Sequence, residues 1–363
     1  MGLLTLSYLN FRNLSGGELS LSPGTNLIWG PNGAGKTSLL EAIHFLAQAR
    51  SFRTARADNL IADGMNELLV QGWIETGQGR RRSLGIRRSA RTQEIHVGGR
   101  PVRRLSELVR QLPVRVIDQH SHVLLEGGPR ERRRFLDWGV FHVEPAFLDF
   151  WQRYLRALRQ RNAALRARAP VHELRLWHDE LARTGESINA LRLTHLTAIA
   201  EAFSALLADT TDLPEISLTL APGWPADLDL TTALEQGLEA DRQRGTTRYG
   251  PHRADLQVRV GPHRATERLS RGQQKETAAA LILAQTRTFH RQTGERCVLL
   301  VDDLAAELDP VRRRRLAERL GWAEGQLFVT AIEPATLQAL DWVEPRAFHV
   351  ERGCVKEVLY CAG

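Results

Sequence analysis

The order of apolar and polar residues along the chain predicts a mixture of buried strands and amphipathic helices. Residues 25–29 form a short apolar run, and residues 38–46 repeat apolar residues at helical spacing. Residues 297–301 and 327–330 are almost entirely apolar, which is typical of buried strands. An alanine- and leucine-rich stretch at 271–291 predicts another long helix. The pattern therefore indicates an α/β core.

Alternating apolar and polar residues predict an antiparallel part of the same core. Residues 3–12 alternate like a strand, and residues 18–21 are the expected partner strand. Further short strands with glycine-containing turns between them are predicted at 68–75, 83–87, 94–97 and 102–103. We therefore expect an antiparallel β subdomain after the first helix.

Helical spacing dominates the middle of the sequence. Long helices are predicted at 147–165 and 173–207 with Pro170 between them, so we expect an antiparallel helical-hairpin arm. The second helix has a heptad-like seam of only a few heptads, which favours an ordinary hairpin over an extended coiled coil. The seam consists of Trp177, Leu181, Thr184, Ile188, Leu191 and His195.

The length of 363 residues and the hydrophobic content of 42% are sufficient for two lobes. We assign residues 1–115 together with 245–363 to an α/β head. Residues 116–244 are assigned to a smaller, mostly helical lobe, with the arm at about 147–207.

The formal net charge of +7 favours an acidic partner, and nucleic acid is the first candidate. A general preference for arginine explains much of this charge, since the only lysines are Lys36, Lys275 and Lys356. The cysteines have no metal-ligand spacing, no signal peptide opens the chain, and no run approaches the roughly 20 apolar residues of a membrane span. We therefore expect a reduced, soluble, cytoplasmic protein without a membrane partner.

The segment from Gly30 to Ser38 has the sequence of a P-loop, in the expected setting between a strand and a helix. Its glycines let backbone N–H groups surround a phosphate, and the helix N-terminus adds its positive end. Lys36 is expected to reach the β- and γ-phosphates of ATP, and the Thr37 hydroxyl to ligate Mg²⁺. The predicted phosphate-binding residues are Gly30, Pro31, Asn32, Gly33, Ala34, Gly35, Lys36, Thr37 and Ser38.

A Walker B motif follows the apolar strand at 297–301. Asp302 is predicted to hold Mg²⁺, and Asp303 to orient or deprotonate the attacking water. Gln119, after a strand predicted at 114–117, is a candidate for contact with Mg²⁺ or the water. The alternative for Gln119 is a solvated loop residue.

Leu269-Ser270-Arg271-Gly272-Gln273 resembles the signature motif of ABC-type ATPases and opens a helix. In that class the serine and glycine face the γ-phosphate bound by the other subunit, so the resemblance implies an ATP-dependent homodimer that uses Ser270, Gly272 and Gln273. By itself the motif would better fit a plain N-capped helix with Ser270 as the cap, and the run at 306–309 decides against that interpretation. The run at 306–309 resembles a D-loop, in which Asp309 would contact the partner subunit.

Together these motifs resemble those of the RecF family, in the SMC-like branch of the ABC ATPases. The matching segments are Leu9-Asn10-Phe11-Arg12-Asn13, the P-loop, Pro129 to Asp137, Tyr249-Gly250-Pro251-His252-Arg253, the signature, and Asp302 to Asp309. The resemblance implies a weak, DNA-stimulated ATPase that dimerises at single-strand/double-strand junctions of gapped DNA. It also implies work with RecR, and through it RecO, in loading RecA, and hence roles in DNA replication, DNA damage repair and the SOS response. By position, it places Arg12 and Asn13 near the phosphates.

Two departures from the wider ABC pattern indicate a slow switch. Asp303 stands where a longer glutamate is usual, so its carboxylate is retracted by one methylene. Thr330 stands where many ABC ATPases have a switch histidine.

Clusters of arginine are candidates for sequence-independent contact with duplex DNA, and a solvated charged face is the alternative for each. The candidates are Arg80, Arg81, Arg82, Arg87, Arg88, Arg91, Arg103, Arg104, Arg153, Arg156, Arg159 and Arg161. We expect the run from Arg312 to Arg315 to be structural or interfacial.

Two other functions share some of these motifs. The nucleotide-binding subunit of an ABC-type transporter has a P-loop, signature and Walker B, but the arginine clusters, Arg271 and the absent switch histidine argue against it. A structural SMC-like protein without useful turnover would carry a far longer coiled coil.

Overall fold

The computed structural model describes residues 2–54, 56–77, 79–208, 210, 212–303, 310–321, 324–338 and 342–359. The predicted D-loop at 306–309 and Cys361 lie outside these residues.

The strands of the described residues are β1 Gly2–Leu9, β2 Gly17–Ser20, β3 Thr25–Trp29, β4 Glu67–Glu75, β5 Arg81–Ser89, β6 Gln93–Val97, β7 Arg100–Pro101, β8 Val114–Ile117, β9 Ser217–Ala221, β10 Asp255–Val260, β11 His263–Arg264, β12 Val298–Val301, β13 Gln326–Ala331, β14 Arg346–Glu351 and β15 Cys354–Val358.

The helices are α1 Lys36–Gln48, α2 Leu105–Val109, α3 Val123–Glu126, α4 Pro129–Val143, α5 Phe147–Arg166, α6 Val171–Arg175, α7 His178–Leu207, α8 Leu230–Gln236, α9 Leu238–Arg244, α10 Ala265–Arg268, α11 Arg271–Thr293, α12 Pro310–Leu320 and α13 Ala335–Gln338, with 3-10 turns at Ala57–Leu60 and Pro251–Arg253. The predicted mixture of an α/β core, an antiparallel sheet and a helical part is confirmed.

The chain forms two compact units, which we call the head unit and the helical unit. The head unit contains Met1–Ser121 and Lys275–Gly363, and the helical unit contains His122–Gln274. The sequence assigned residues 245–274 to the head, whereas in the structure they group with the helical unit. The physical reason is that β10 is hydrogen-bonded to β9, with Leu256 opposite Leu220.

A largely parallel sheet forms the centre of the head unit, with the strand order β15-β14-β3-β13-β12-β8. Val301 in β12 lies opposite Val329 in β13, and Thr330 in β13 lies opposite Ile28 in β3. Because parallel strands end at one edge of a sheet, the carboxyl ends of β3, β12 and β13 lie side by side. This edge carries the P-loop and the Walker B aspartates.

The antiparallel sheet of the head unit has the order β2-β1-β4-β5-β6-β7. Its inner face shares one apolar core with α1 and the parallel sheet, in which Leu6, Ile86, Phe45 and Phe328 are all buried. The strand predicted at 83–87 is longer in the structure, and the pairing predicted at 102–103 occurs instead at Arg100–Pro101, opposite β6.

The helical unit is built on α5 and α7, which pack as an antiparallel hairpin. Arg161 near the end of α5 contacts His178 at the start of α7, whereas Trp151 near the start of α5 lies under Arg192. The stretch from Val171 to Leu207 has the length and composition of a membrane span. It nevertheless contributes Leu181 and Ile188 to the apolar core of this unit, as a core helix does.

The Tyr249-to-Arg253 run packs partly into the helical unit, in which Gly250 and Pro251 are buried and Arg253 is exposed. The Tyr154 hydroxyl and His252 Nδ1 are 2.6 Å apart, and His252 Nε2 lies 3.2 Å from the Thr247 carbonyl oxygen. Burial lowers the pKa of His252 to about 4. These contacts give the histidine of this run a structural role.

Candidate nucleotide-binding site

The P-loop adopts backbone conformations that glycine alone accepts easily. Gly30, Gly33 and Gly35 have φ angles of 153°, 78° and 119°. A Cβ atom at Gly30 would collide with the carbonyl oxygen of Val350. Gly35 provides no side-chain cap for α1, and the first turn of α1 carries no acidic residue. The N-terminal N–H groups of α1 are therefore arranged to accept an anion.

Lys36 points back into the loop. Its ammonium donates hydrogen bonds to the carbonyl oxygens of Gly30 at 2.7 Å and Pro31 at 3.0 Å. Burial lowers the pKa of Lys36, and the charges of Asp303 and Asp302 oppose this shift. The lysine is thus a charged donor held at the mouth of the phosphate cradle.

Thr37 and Asp302 are joined directly, as the two motifs predict. The Thr37 hydroxyl lies 2.9 Å from both carboxylate oxygens of Asp302. Burial raises the pKa of Asp302, while hydrogen bonds from Thr37 and Thr330 act in the opposite direction. A hydroxyl and a carboxylate are hard oxygen ligands of the kind that Mg²⁺ prefers, so these two residues fit the cation.

Asp303 has an unusual environment for a carboxylate. Its backbone is left-handed, with φ 53°. Its Oδ1 atom is buried and has no hydrogen-bond partner among the described residues. An oxygen left in this state is suited to accept a proton or hydrogen bond from a bound molecule.

Gln119 lies with the Walker B residues. It lines a small cavity of the head unit together with Asp302, Asp303 and Lys275. The sequence prediction that Gln119 serves Mg²⁺ or the attacking water stays a prediction.

Asn13 ties the end of β1 to the P-loop. Its Oδ1 accepts from the Ser38 hydroxyl at 2.7 Å, and its Nδ2 donates to the Gly33 carbonyl at 3.0 Å. Arg12 beside it adopts a left-handed backbone with φ 55°. Both residues line the cavity over the P-loop.

Glu41 of α1 holds the Arg12 side chain, a contact that sequence reasoning missed. Arg12 Nε and Nη2 each lie 2.8 Å from a different oxygen of Glu41, which is fully buried. The Ser51 hydroxyl also donates to Glu41, and Arg53 Nη1 is 3.9 Å away. The sequence did contain a signal for this contact: Glu41 lies in the apolar stretch 38–46, and a buried carboxylate requires a charged or hydrogen-bonding partner.

A cavity of about 680 Å³ lies over the P-loop. Its volume is in the range of small-molecule sites. It is lined by Arg12, Asn13, Asn32, Gly33, Gly35, Lys36, Thr37, Ser38, Arg53, Asn59, Ile61, Ala62, Asp63, Asp302 and Asp303. Arg53 is a further cation at this cavity that the sequence did not suggest.

The signature residues lie in the helical unit, whereas the P-loop lies in the head unit. The Ser270 hydroxyl accepts from the Gln273 N–H at 3.3 Å, and the Gln273 side chain accepts from the Ser270 N–H at 2.9 Å. This is a capping box at the start of α11. Gly272 is in the first turn of the same helix.

The pleat of β5 divides its arginines between two faces. Leu84 and Ile86 face the core, so Arg81 and Arg87 lie on the outer face. On the other side, Arg82 donates to Gln111 at 2.6 Å, and Arg88 to Gln93 at 2.9 Å.

The remaining arginine candidates also differ in burial and in ion pairing. Arg153 forms an ion pair with Glu180 at 2.8 Å. Arg161 is fully buried against Asp241 at 2.7 Å, so its predicted contact with DNA is wrong for this conformation. The exposed candidates are Arg80, Arg91, Arg103, Arg104, Arg156 and Arg159.

The arginine run of α12 has a structural partner. Arg312, Arg315 and Arg319 approach the buried Glu276 of α11 at 3.5, 2.9 and 2.9 Å. This agrees with the structural role expected for the run.

Residues 3–355 match the RecF/RecN/SMC N-terminal domain family. The DNA replication and repair protein RecF of Chromohalobacter salexigens is 42% identical over 359 residues, which cover 97% of this chain and 99% of that protein. A solved structure of the recombination mediator protein RecF-ATP in the RecFOR pathway has a TM-score of 0.86 at 23% identity, covering 98% of this chain and 97% of that one.

A solved Smc head bound to the C-winged helix domain of ScpA has a TM-score of 0.59 at 15% identity, covering 98% of this chain and 97% of that one. These likenesses confirm the predicted SMC-type head fold. The chain belongs to the RecF family of DNA replication and repair proteins.

Proposed function

We propose that this protein is an ATP-dependent DNA-binding repair protein that dimerises on ATP and hydrolyses it slowly. The observation that carries the proposal is the joining of Thr37 to Asp302, with the buried Asp303 Oδ1 beside them, which has no hydrogen-bond partner among the described residues. This arrangement supports binding and hydrolysis of a nucleoside triphosphate.

The P-loop residues 30–38 hold the phosphates through backbone N–H groups, and Lys36 exchanges its contacts with loop carbonyls for contacts with phosphate oxygens. Thr37 and Asp302 would hold Mg²⁺, which, when bound, neutralises phosphate charge. Gln119 is a further candidate for this region because it lines the cavity shared by Asp302 and Asp303.

Asp303 is the candidate base for the attacking water. Its buried Oδ1, which has no partner in the part of the chain that the structure describes, suits proton acceptance, but the side chain is one methylene shorter than glutamate, so water activation is expected to be slow. Slow turnover suits a switch whose ATP-bound state has to persist.

A second copy of the chain completes the site in this proposal. Ser270, Gly272 and Gln273 form a helix N-terminus that suits the γ-phosphate of the opposite subunit. ATP then joins the two subunits on DNA. Gapped DNA, RecR, RecO and RecA loading enter as proposals through the family relationship, as do the SOS response and a cytoplasmic location.

Outer-face arginines are the first candidates for DNA contact in the head unit. Arg81 and Arg87 are exposed on β5, whereas Arg82 and Arg88 bond to protein side chains. Contacts of this kind bind phosphates without reading sequence. The transporter-subunit alternative is not favoured, because the curated relatives are DNA replication and repair proteins.

ATP hydrolysis and light scattering, each with and without duplex or gapped DNA, test the proposal. We expect ATP-dependent dimers and DNA-stimulated phosphate release. Asp303→Asn should keep the dimers and lose turnover, and Ser270→Arg should bind ATP as a monomer. Asp227→Asn, an exposed carboxylate of the helical unit, is the control.

Normal hydrolysis by Asp303→Asn would contradict the base assignment, and dimers of Ser270→Arg would contradict the shared site. Indifference of wild-type protein to DNA would remove the DNA-dependent part of the proposal.

A further inference from the structure

The two aspartates after β12 are held in different ways. Both carboxylate oxygens of Asp302 lie 2.9 Å from the Thr37 hydroxyl, and Oδ1 also accepts from the Thr330 hydroxyl at 3.0 Å. Asp303 Oδ1 has no such partner among the described residues. The backbone conformation of Asp303 sets the direction in which this side chain leaves the chain.

That backbone is in a conformation that aspartate adopts only at some cost. The φ angle of Asp303 is 53°, in the left-handed region. Its N–H donates to Thr330 Oγ1 at 2.7 Å. One hydroxyl thus contacts the side chain of Asp302 and the main chain of Asp303.

Thr330 is placed for this double contact by the sheet. It is fully buried in β13, one residue beyond Val329, which lies opposite Val301 of β12. A hydroxyl has one proton to donate and lone pairs to accept. In Thr330 the proton goes to Asp302 and a lone pair takes the Asp303 N–H.

We propose that Thr330 is a positioning residue for ATP hydrolysis, which orients the metal-binding carboxylate of Asp302 and fixes the left-handed turn that aims Asp303. The inference rests on the proposed function. In this role Thr330 positions the two aspartates, whereas a switch histidine at this place in the chain would face the phosphate. Asp302 and Asp303 should therefore lose their positions together when this hydroxyl is removed.

Substitutions at Thr330 separate the effect of its hydroxyl from the effect of its side-chain shape. Thr330→Val keeps the branched shape and removes both hydrogen bonds, while Thr330→Ser keeps the hydroxyl. Thr286→Val is the matched control, because Thr286 is also buried and its hydroxyl donates to the Leu283 carbonyl within α11, in the same helix. Thr330→Cys serves as a second variant of similar volume with a weak donor, should Thr330→Val fail to fold.

Two measurements are made on full-length protein: the Mg²⁺ dependence of fluorescent ATP-analogue binding, and steady-state hydrolysis. We expect Thr330→Val to lower kcat about tenfold or more and to raise the Mg²⁺ concentration for half-maximal binding several-fold, as loss of a residue that orients a metal ligand does. Thr330→Ser should return both values to near wild type. Thr286→Val should match wild type in both.

Wild-type kcat and Mg²⁺ dependence in Thr330→Val would overturn the inference. Thr330→Ser behaving as poorly as Thr330→Val would also overturn it, because shape would then matter and the hydroxyl would not. Absence of hydrolysis by wild-type protein would instead refute the proposed function. In that case the Mg²⁺ dependence of binding still tests the link between Thr330 and Asp302.

Discussion

The pair formed by Arg12 and Glu41 permits a quantitative test of how the nucleotide cavity is held together. Glu41 is fully buried in α1, and Arg12, which keeps 21% of its side chain exposed, contacts both carboxylate oxygens at 2.8 Å. Glu41→Gln keeps the volume, removes the charge and leaves one acceptor oxygen. One guanidinium hydrogen bond and the ionic attraction are then lost.

The size of the effect follows from the burial of each partner. A hydrogen bond to a charged group contributes about 1.5–3 kcal/mol, and water at the exposed part of Arg12 recovers some of it, so we expect Glu41→Gln to destabilise α1 by about 2 kcal/mol. Arg12→Gln leaves a buried carboxylate with weaker partners and should cost about 3 kcal/mol. The double variant should be destabilised by about 3 kcal/mol, which is less than the sum of the two single effects. The difference is a coupling free energy of about 2 kcal/mol between Arg12 and Glu41.

Hydrogen exchange of the α1 amides in increasing urea measures the opening free energy of α1 in each variant. A local measurement is needed because a chain of two compact units need not unfold in one step. Arg53→Gln is the control: Arg53 lies 3.9 Å from Glu41 with 48% of its side chain exposed, so its loss should cost below about 1 kcal/mol. Additive effects of the two single variants, within about 0.5 kcal/mol, would refute the reasoning.

Three further predictions address binding and stability. Lys36→Met should weaken binding of a fluorescent ATP analogue about tenfold or more, since it removes the charged donor at the P-loop; the exposed Lys356→Met is the control, and unchanged affinity of Lys36→Met would contradict the assignment. Arg81→Gln and Arg87→Gln should each reduce the slope of log affinity for DNA against log salt by about 1, whereas Arg82→Gln and Arg88→Gln should not; equal effects from the two faces would rule out this interface. The folded-state pKa of His252 is about 4, below its ordinary 6.5, so its contribution to stability is complete above pH 6.5 and is lost as pH falls towards 4. His252→Gln should therefore flatten the pH dependence of urea unfolding over this window by up to about 1.4 kcal/mol per pH unit, and identical pH profiles would disprove the assignment.

Local motifs allowed the sequence to predict the centre of the site but not the contacts that orient it. The P-loop and Walker B are continuous segments, and their meeting follows from two strands ending at one sheet edge. The partners of Asp302 and Glu41 cannot be found in this way, because Thr330 is 28 residues from Asp302 and Arg12 is 29 residues from Glu41. Only the strand register and the left-handed turns bring them together.

The contacts of the arginine candidates depend on the extent of a strand and on partners that are distant in sequence. A strand at 83–87 leaves Arg82 and Arg88 outside the alternation that separates the two faces of the sheet. The observed strand is Arg81–Ser89, so the alternation between the two faces extends to Arg82 and Arg88. The burial of Arg161 could not be predicted from local sequence, because its partner Asp241 is 80 residues away.

The hydroxyls of Thr37 and Thr330 are expected to make different contacts once a nucleotide and a cation are bound. In the structure both donate to Asp302, from α1 and from β13 respectively. A hydroxyl that ligates a cation through its oxygen has to turn its proton away from that cation, so in a loaded site the Thr37 hydroxyl would be shared between the cation and Asp302. Nothing requires Thr330 to release Asp302 or the N–H of Asp303. The orientation of both aspartates in the loaded site is therefore expected to depend on Thr330, whose hydroxyl has both its bonds within the protein.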